Sequence, residues 1–511
     1  MKAVRFSVVY KILLIILLLL GQISLAQRNN VWVFGDSAKI LFNNQSLSVR
    51  SNARAPEGSA SISDTLGTLL LYIQNVLGGN ILGNVYNGKG QILINGLNIE
   101  NVSLSHSNLF LPFPNHDSLY YLFTLFQFPF NNENGVYYSV INALKDTVGE
   151  VLNKNIVIMD SVYPGNILMA VKHGNGRDWW VFWRLFDRVN YVQQNNTFYS
   201  VLLTPNGISN LQFQNIGDTS FVGSYGGMNF NKEGNKMAYC DGVGLLEVFD
   251  FDRCTGVLSN PTVIKHSCYP SCIQNLQLDV EFSANSRFLY VCDWGDTSYI
   301  NQYDLQAASI YASKKIVDTF FTYPSYEIPG SVKRWLDNKI YISIADSTAS
   351  HHPYFLNNAY TTTNTHLAVI NNPDLPFPLC NYSKTGLYLN GARTYGALPN
   401  NPDYDLGALV GSPCDTLATG LQLHNNATTN DWLIYPNPAN DFIYVFNTGQ
   451  PVFGNYQFTL TNVNAQVIYQ RETTNPNELQ TIATQNLPNG IYVLQITGEN
   501  KMQSKKVVIL R

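Results

Sequence analysis

Seven cysteines are the side chains with most chemistry to offer: Cys240, Cys254, Cys268, Cys272, Cys292, Cys380 and Cys414. Thiolates ligate zinc or act as nucleophiles, and pairs of thiols close disulfides. Three residues, not two, stand between Cys268 and Cys272, and no second Cys or His pair stands at zinc spacing. His351-His352 could ligate a metal, yet adjacent histidines in a polar loop are as a rule solvated. No Gly-x-Ser-x-Gly elbow, His-Glu-x-x-His helix or P-loop occurs. Gly242-x-Gly244 reads as a tight turn between strands. Asp250 and Asp252 alternate with Phe249 and Phe251, which fits one strand with a buried face rather than a calcium loop. Trp179, Trp180 and Trp183 read as strand packing before they read as a sugar platform. The polar and aromatic side chains left to meet a ligand are Asp241, Asp293, Trp294, His351 and His352. No catalytic set, cofactor or metal is expected from this inventory.

The elements that position these residues are strands. The chain has 511 residues, 45% of them hydrophobic, with 31 Tyr and 27 Phe, and only 13% charged. That is about half the usual charged share. Runs such as Val31-Trp32-Val33-Phe34 and Leu119-Tyr120-Tyr121-Leu122-Phe123 alternate with turns rich in Gly, Asn, Asp and Pro. The same grammar recurs in Lys236-Met237-Ala238-Tyr239-Cys240, Arg287-Phe288-Leu289-Tyr290-Val291-Cys292 and Asp337-Asn338-Lys339-Ile340-Tyr341-Ile342. The intervals are 52 residues from Met237 to Leu289 and 51 from Leu289 to Ile340. Leu70, Tyr120 and Trp180 are earlier counterparts.

A strand-turn-strand unit of about 50 residues is the signature of propeller blades, each of which needs neighbours on both faces. The spacing predicts an all-β fold with about seven blades, the last closed by Asn30 to Phe42 against the stretch His366 to Tyr395. Two β-sandwiches are the alternative. In a four-stranded blade with strands Met228–Phe230, Lys236–Cys240, Leu245–Asp252 and Pro261–His266, Cys240, Cys268, Cys272 and Cys292 fall on one face. They are expected to form one or two disulfides there. Cys380 and Cys414 are expected to pair with each other, and Cys254, on the opposite face, to stay unpaired.

Lys2, Arg5 and Lys11, the apolar run Ile12 to Leu20 and Ser24-Leu25-Ala26 read as a signal peptide over 1–26. The compartment beyond it is oxidising, so disulfides are allowed. No other apolar segment is long enough to span a bilayer, so the mature chain is expected to carry no membrane span. The net charge of −4 gives no basic excess for nucleic acid. The expected organisation is a propeller over 27–414, a polar linker over 415–431 and a small Ig-like β-sandwich over 432–511.

The tail resembles the type A C-terminal sorting domain of the type IX secretion system. Tyr435-Pro436-Asn437-Pro438, Leu487-Pro488-Asn489-Gly490-Ile491-Tyr492 and Lys505-Lys506-Val507-Val508-Ile509-Leu510-Arg511 carry the resemblance. It implies recognition by the type IX machinery through Tyr435, Pro436, Asn437, Pro438, Gly490, Tyr492, Lys505 and Lys506, and a final location at the cell surface or outside the cell. Residues 29 to 400 resemble exported propeller-like domains through Trp32-Val33-Phe34-Gly35, Glu57-Gly58-Ser59-Ala60-Ser61-Ile62-Ser63-Asp64 and Lys172-His173-Gly174-Asn175-Gly176-Arg177-Asp178-Trp179-Trp180. That resemblance implies no particular chemistry. The leading expectation is a non-enzymatic binding or adhesion protein with a glycan or protein ligand. The alternatives are a secreted hydrolase with acids in the propeller channel and a structural component of the cell surface.

Overall fold

The computed structural model describes residues 27–415 and 432–510, apart from 43–45, 56–57, 76–81, 102–105, 128–133, 186–194, 221–224, 267–275, 322–326, 347–359, 448–453, 465, 477–478 and 499–500. The expected signal peptide, almost all of the linker, and Cys268, Cys272, His351 and His352 lie outside the described residues. Among the described residues the helical pieces are two three-residue 3-10 turns, Lys145–Thr147 and Tyr311–Ser313. No described helix is long and apolar enough to cross a membrane.

Antiparallel sheets follow one another along the chain, each built from consecutive strands. Sheet 1 pairs Val31–Phe42 with Ser46–Ala55. Sheets 2 to 7 span 60–100, 108–160, 164–220, 226–265, 276–321 and 327–388, with four or five strands each. The repeat markers Leu70, Tyr120, Trp180, Met237, Leu289 and Ile340 all fall in the second strand of their sheet. Those of sheets 3 to 7 have neighbours on both faces, so they are buried almost throughout instead of alternating, whereas in sheet 2 Leu69 and Leu70 are only half-buried. Leu119–Phe126 is buried at every position. The outermost strand Val257–Lys265 is mostly exposed and tolerates Pro261, whose missing N–H costs little at a sheet edge. This is a β-propeller, whose first strands line the centre.

Sheet 1 pairs with the expected closing stretch only at Asp36 and Arg393, through an isolated bridge rather than a shared sheet. Phe42 N donates to Asn30 O at 2.8 Å, so Val31–Phe42 must double back on itself. The reversal is at Gly35 (φ 59°) and Ser37 (φ 67°). A Cβ on Gly35 would lie 2.2 Å from Arg393 O, so glycine is required where the returning chain meets sheet 1. Asp36 N donates to Arg393 O at 2.8 Å, and Arg393 N to Asp36 O at 3.2 Å. His366–Ile370 and Tyr382–Tyr388 do not close the ring; they complete sheet 7.

After Arg393 the chain runs through the ring. Gly396 O accepts from Ser331 N of sheet 7 at 2.8 Å. Asn400 N donates to Ser59 O at 2.9 Å, and its side-chain Nδ2 donates to Asn108 O of sheet 3 at 3.2 Å and Leu168 O of sheet 4 at 2.7 Å. Tyr404 Oη donates to Phe110 O at 2.7 Å. The chain emerges where Arg253 donates to Gly407 O and Leu409 N donates to Gly174 O, beside the turn between the third and fourth strands of sheet 5.

This path corrects the cysteine expectations. Cys414 forms a disulfide with Cys254, their Cα atoms 5.5 Å apart, and not with Cys380. Cys254 is indeed at the end of sheet 5 opposite Cys240, but the threaded chain brings Cys414 to it. Cys240, Cys292 and Cys380 are buried free thiols. Cys240 packs between sheets 5 and 6, and Cys292 between sheets 6 and 7. A whole sheet therefore separates the two thiols that were expected to share a staple. Burial pushes both well above the usual thiol range.

The tail is a sandwich of two sheets. One holds Trp432–Tyr435, Phe442–Asn447 and Gln480–Ala483; the other holds Val467–Thr473, Tyr456–Asn462, Gly490–Gly498 and Lys501–Ile509, in that spatial order. Trp432, Ile443, Phe458, Leu494 and Val507 are among the residues filling the space between them. The outer face of the first sheet turns Tyr435, Tyr444 and Phe446 onto sheet 3 of the propeller, where they join one apolar cluster with Tyr121, Tyr138 and Ile156.

Candidate functional site

The two ends of the ring differ. At the end away from the disulfide, the chain crosses between second and third strands and between successive sheets. Three of these crossings are long, nine residues between Leu185 and Asn195, ten between Lys265 and Leu276, and nineteen between Asp346 and His366, whereas those after Asp241 and Trp294 have four and two residues. At the other end the connections have four or five residues in sheet 5, ten between Asp304 and Lys315 in sheet 6 and eleven between Ile370 and Tyr382 in sheet 7, none as long as the one after Asp346.

Asp241 ends the second strand of sheet 5 and Asp293 is the last residue but one of the second strand of sheet 6, both at the long-connection end. Asp241 is fully buried and accepts from Ser220 Oγ at 2.8 Å and from the N–H groups of Val243 and Leu245, both at 3.1 Å. It shapes its own turn. Asp293 accepts from Asn301 Nδ2 at 2.7 Å, while its Oδ1 is buried with no partner among the described residues. Burial pushes its carboxyl up to about 6, against the pull of Lys265 and Lys314. Trp294 follows, half-buried at the strand end. Sequence reasoning missed Asp346, which ends the second strand of sheet 7; the 52- and 53-residue steps from Asp241 to Asp293 to Asp346 could have revealed it.

It also missed the charges beneath this end of sheets 4 and 5. Arg184 is fully buried with its guanidinium 4.8 Å from the Phe198 ring centre and 4.6 Å from that of Tyr239. It donates to Asn195 O at 2.7 Å. Glu247 accepts from Asp218 N at 2.6 Å, and burial pushes its carboxyl up to about 7 although that N–H and Arg184 oppose the shift.

Carboxylates and a histidine do converge at the ring centre. His106 Nε2 is 3.1 Å from Asp279 Oδ1, and His106 Nδ1 is 3.2 Å from Asn400 Oδ1. Asp279 accepts from Val280 N at 2.8 Å and Val332 N at 2.9 Å. Glu281 accepts from Asn229 Nδ2 at 2.8 Å, Arg334 N at 2.9 Å and Phe282 N at 2.9 Å. These acids bind the first strands of sheets 5, 6 and 7 to each other. A cavity of about 40 Å³, lined by Asn229, Glu281, Lys333 and Asn401, remains beside them. It has room for about three waters.

In the tail, Tyr435 is buried between the rings of Tyr444 and Phe446, each 5.5 Å away, and its hydroxyl meets the Asn153 side chain of sheet 3. Pro436 and Pro438 flank Asn437, which donates to Lys506 O at 2.8 Å and accepts from Val508 N at 2.7 Å. Ala439 N donates to Val508 O at 2.7 Å. The Tyr-Pro-Asn-Pro segment thus lies along the last strand and covers part of its edge. Gly490 opens the neighbouring strand, and Tyr492 Oη donates to Pro488 O at 2.9 Å. Lys505 and Lys506 stand opposite Leu494 and Val493.

Residues 433–510 match the family described as Secretion system C-terminal sorting domain. The tail is a sorting domain of the type IX pathway, and the protein is exported to the cell surface or the extracellular space. Solved structures similar to the chain include a putative 6-phosphogluconolactonase from Bacteroides fragilis, at 11% identity and TM-score 0.39, over 62% of this chain and 86% of that one. The Dos1 propeller is similar at 11% identity and TM-score 0.37, over 65% and 72%. The periplasmic gluconolactonase PpgL of Pseudomonas aeruginosa is similar at 12% identity and TM-score 0.32, over 77% and 97%. No curated protein sequence matches the chain.

Proposed function

We propose that this is a non-enzymatic binding propeller, carried out of the cell by its sorting domain, that meets a glycan or protein with its long-connection end. The observation that carries this reading is the occupied centre. Asn400 and its neighbours fill the ring, and Asp279 and Glu281 spend their oxygens on backbone N–H groups and Asn229. A hydrolase needs one acid free to donate or accept a proton at the substrate. The strand ends at Asp241, Asp293 and Asp346 then flank the ligand, as in other scaffolds that place function at the ends of a rigid frame. We assign 27–414 to the propeller, 415–431 to the linker and 432–511 to the sorting domain.

The test is a glycan array and a cell-surface binding assay with the full chain, beside a broad hydrolase panel. Binding that is lost when Asp346–His366 is replaced by a short Gly-Ser connection supports the reading. Hydrolysis abolished by Asp279→Asn or Glu281→Gln in a folded protein replaces it with the channel hydrolase.

A further inference from the structure

The sorting domain has two outer faces; the propeller covers one, while on the other Lys506 and Val508 line a cavity of about 270 Å³ beside Pro205 and Asn206 of sheet 4. Tyr435, Tyr444 and Phe446 on the first sheet pack into the cluster of propeller sheet 3. Tyr138 and Tyr435 are held well above the usual phenol range, chiefly by burial and next by Tyr444. A partner cannot use this face without first removing the propeller.

The second sheet has its inner face in the sandwich core, through Phe458, Leu460, Tyr492, Leu494, Val507 and Ile509. Alternation puts the intervening residues outside. Register then sets Val467, Thr461, Val493 and Lys506 side by side across four strands, with Ile491 and Val508 paired in the adjoining row. Val467 is 56% exposed and Ile491 46%. An outward sheet face is ordinarily polar, and an apolar strip there marks a contact surface.

We propose that this strip, Val467, Val493, Ile491 and Val508 with Lys506 beside it, is the surface through which the sorting domain engages the type IX machinery. The partner's complementary surface is apolar, with a carboxylate to meet Lys506. The strip is continuous with the sorting signal: Gly490 and Tyr492 lie on the strand that carries Ile491 and Val493, and Lys505 and Lys506 on the strand that carries Val508. The signal residues that point inward, such as Tyr492, hold the strands, and the intervening residues make the contact.

The experiment uses the full chain with Ile491→Thr, Val493→Thr and Val508→Thr, which keep β-branched shape on an exposed strand. A Lys506→Glu variant is made separately, and Tyr444→Thr with Phe446→Thr serves for the opposite face. Cells are fractionated, and each purified protein is checked for its unfolding temperature and the Cys254–Cys414 bond. The outer-face triple variant should fold like the parent while its extracellular fraction falls roughly tenfold, the effect of losing an interface anchor. Lys506→Glu should reduce export in the same direction. The variant facing the propeller should still be exported but melt lower. Normal export of the folded triple variant overturns the proposal. Should the triple variant unfold, Val467→Thr with Val493→Thr alone decides the matter by the same criterion. A parallel chain lacking Trp432 to Arg511 separates the two claims: its export would remove the sorting role itself, whereas its retention beside normal export of the triple variant removes only the proposed face.

Discussion

Glu247 and Asp293 are the residues whose chemistry should be most visible in solution. Burial raises Glu247 to about 7 and Asp293 to about 6. Between its unfolded pKa near 4.5 and its folded value, such an acid holds a proton in the folded chain that the unfolded chain has lost. Stability from these groups therefore falls as pH rises from about 4 to 7, and changes little above that window. Glu247→Gln keeps an acceptor for Asp218 N but cannot ionise. It should raise stability at pH 8 by roughly 2–3 kcal/mol, with the gain shrinking to nothing at pH 4. Denaturant titration at the two pH values measures it; an equal effect at both would mean that the Glu247 carboxyl is not raised by burial. Cysteine chemistry is a second readout. Peptide mapping without reduction should recover Cys254 joined to Cys414, and Cys240, Cys292 and Cys380 should alkylate only after unfolding. Cys254→Ser removes a crosslink spanning 160 residues. Loop entropy sets its cost at up to roughly 5 kcal/mol, read as a lowered unfolding midpoint.

At the scale of elements, the strand repeat was legible because the second strands of sheets 3 to 7 are buried on both faces and so must be rich in Val, Ile, Tyr, Phe and Trp. Met237, Leu289 and Ile340 mark the same strand in three successive sheets for that reason. The sheet-5 strands fall within a few residues of expectation; the fourth begins at Val257 rather than Pro261 because an edge strand needs few inward residues. The reversal inside Val31–Phe42 was not legible. Its signal is Gly35-Asp36-Ser37, and the reason for Gly35 is a backbone 358 residues further on, at Arg393. The threaded segment was equally hidden. Thr394 to Asp405 pairs with several sheets through isolated contacts and has no period, so nothing in its composition places Cys414 beside Cys254. The candidate ligand residues show the same limit: position along the strand put Asp241 and Asp293 at one shared end of the ring, but only the structure shows Asp241 occupied by its own turn. Asn400 is the element-scale test of the threaded path. Asn400→Leu leaves the carbonyls of Asn108 and Leu168 without their donor and should cost about 2–4 kcal/mol by chemical denaturation. A cost below 0.5 kcal/mol, the level of an ordinary surface change, would contradict the path through the ring.

At the scale of the whole molecule, two devices hold the chain. The propeller is closed by Asp36 meeting Arg393 and then fastened by the threaded segment and its disulfide. The sorting domain lies against sheet 3 through Tyr435, Tyr444 and Phe446. The acids of the centre tie the first strands of sheets 5, 6 and 7 together; in the proposed reading the long-connection end of the ring meets a partner and the outer strip of the sandwich serves export. Both proposed roles require the protein to reach the outside of the cell by its tail. The direct measurement is fractionation of cells carrying the full chain or a chain ending before Trp432, with the propeller detected in periplasm, surface and medium. The full chain should appear at the surface or in the medium, and the shortened chain should remain in the periplasm with its Cys254–Cys414 bond formed. Efficient appearance of the shortened propeller outside the cell would contradict it.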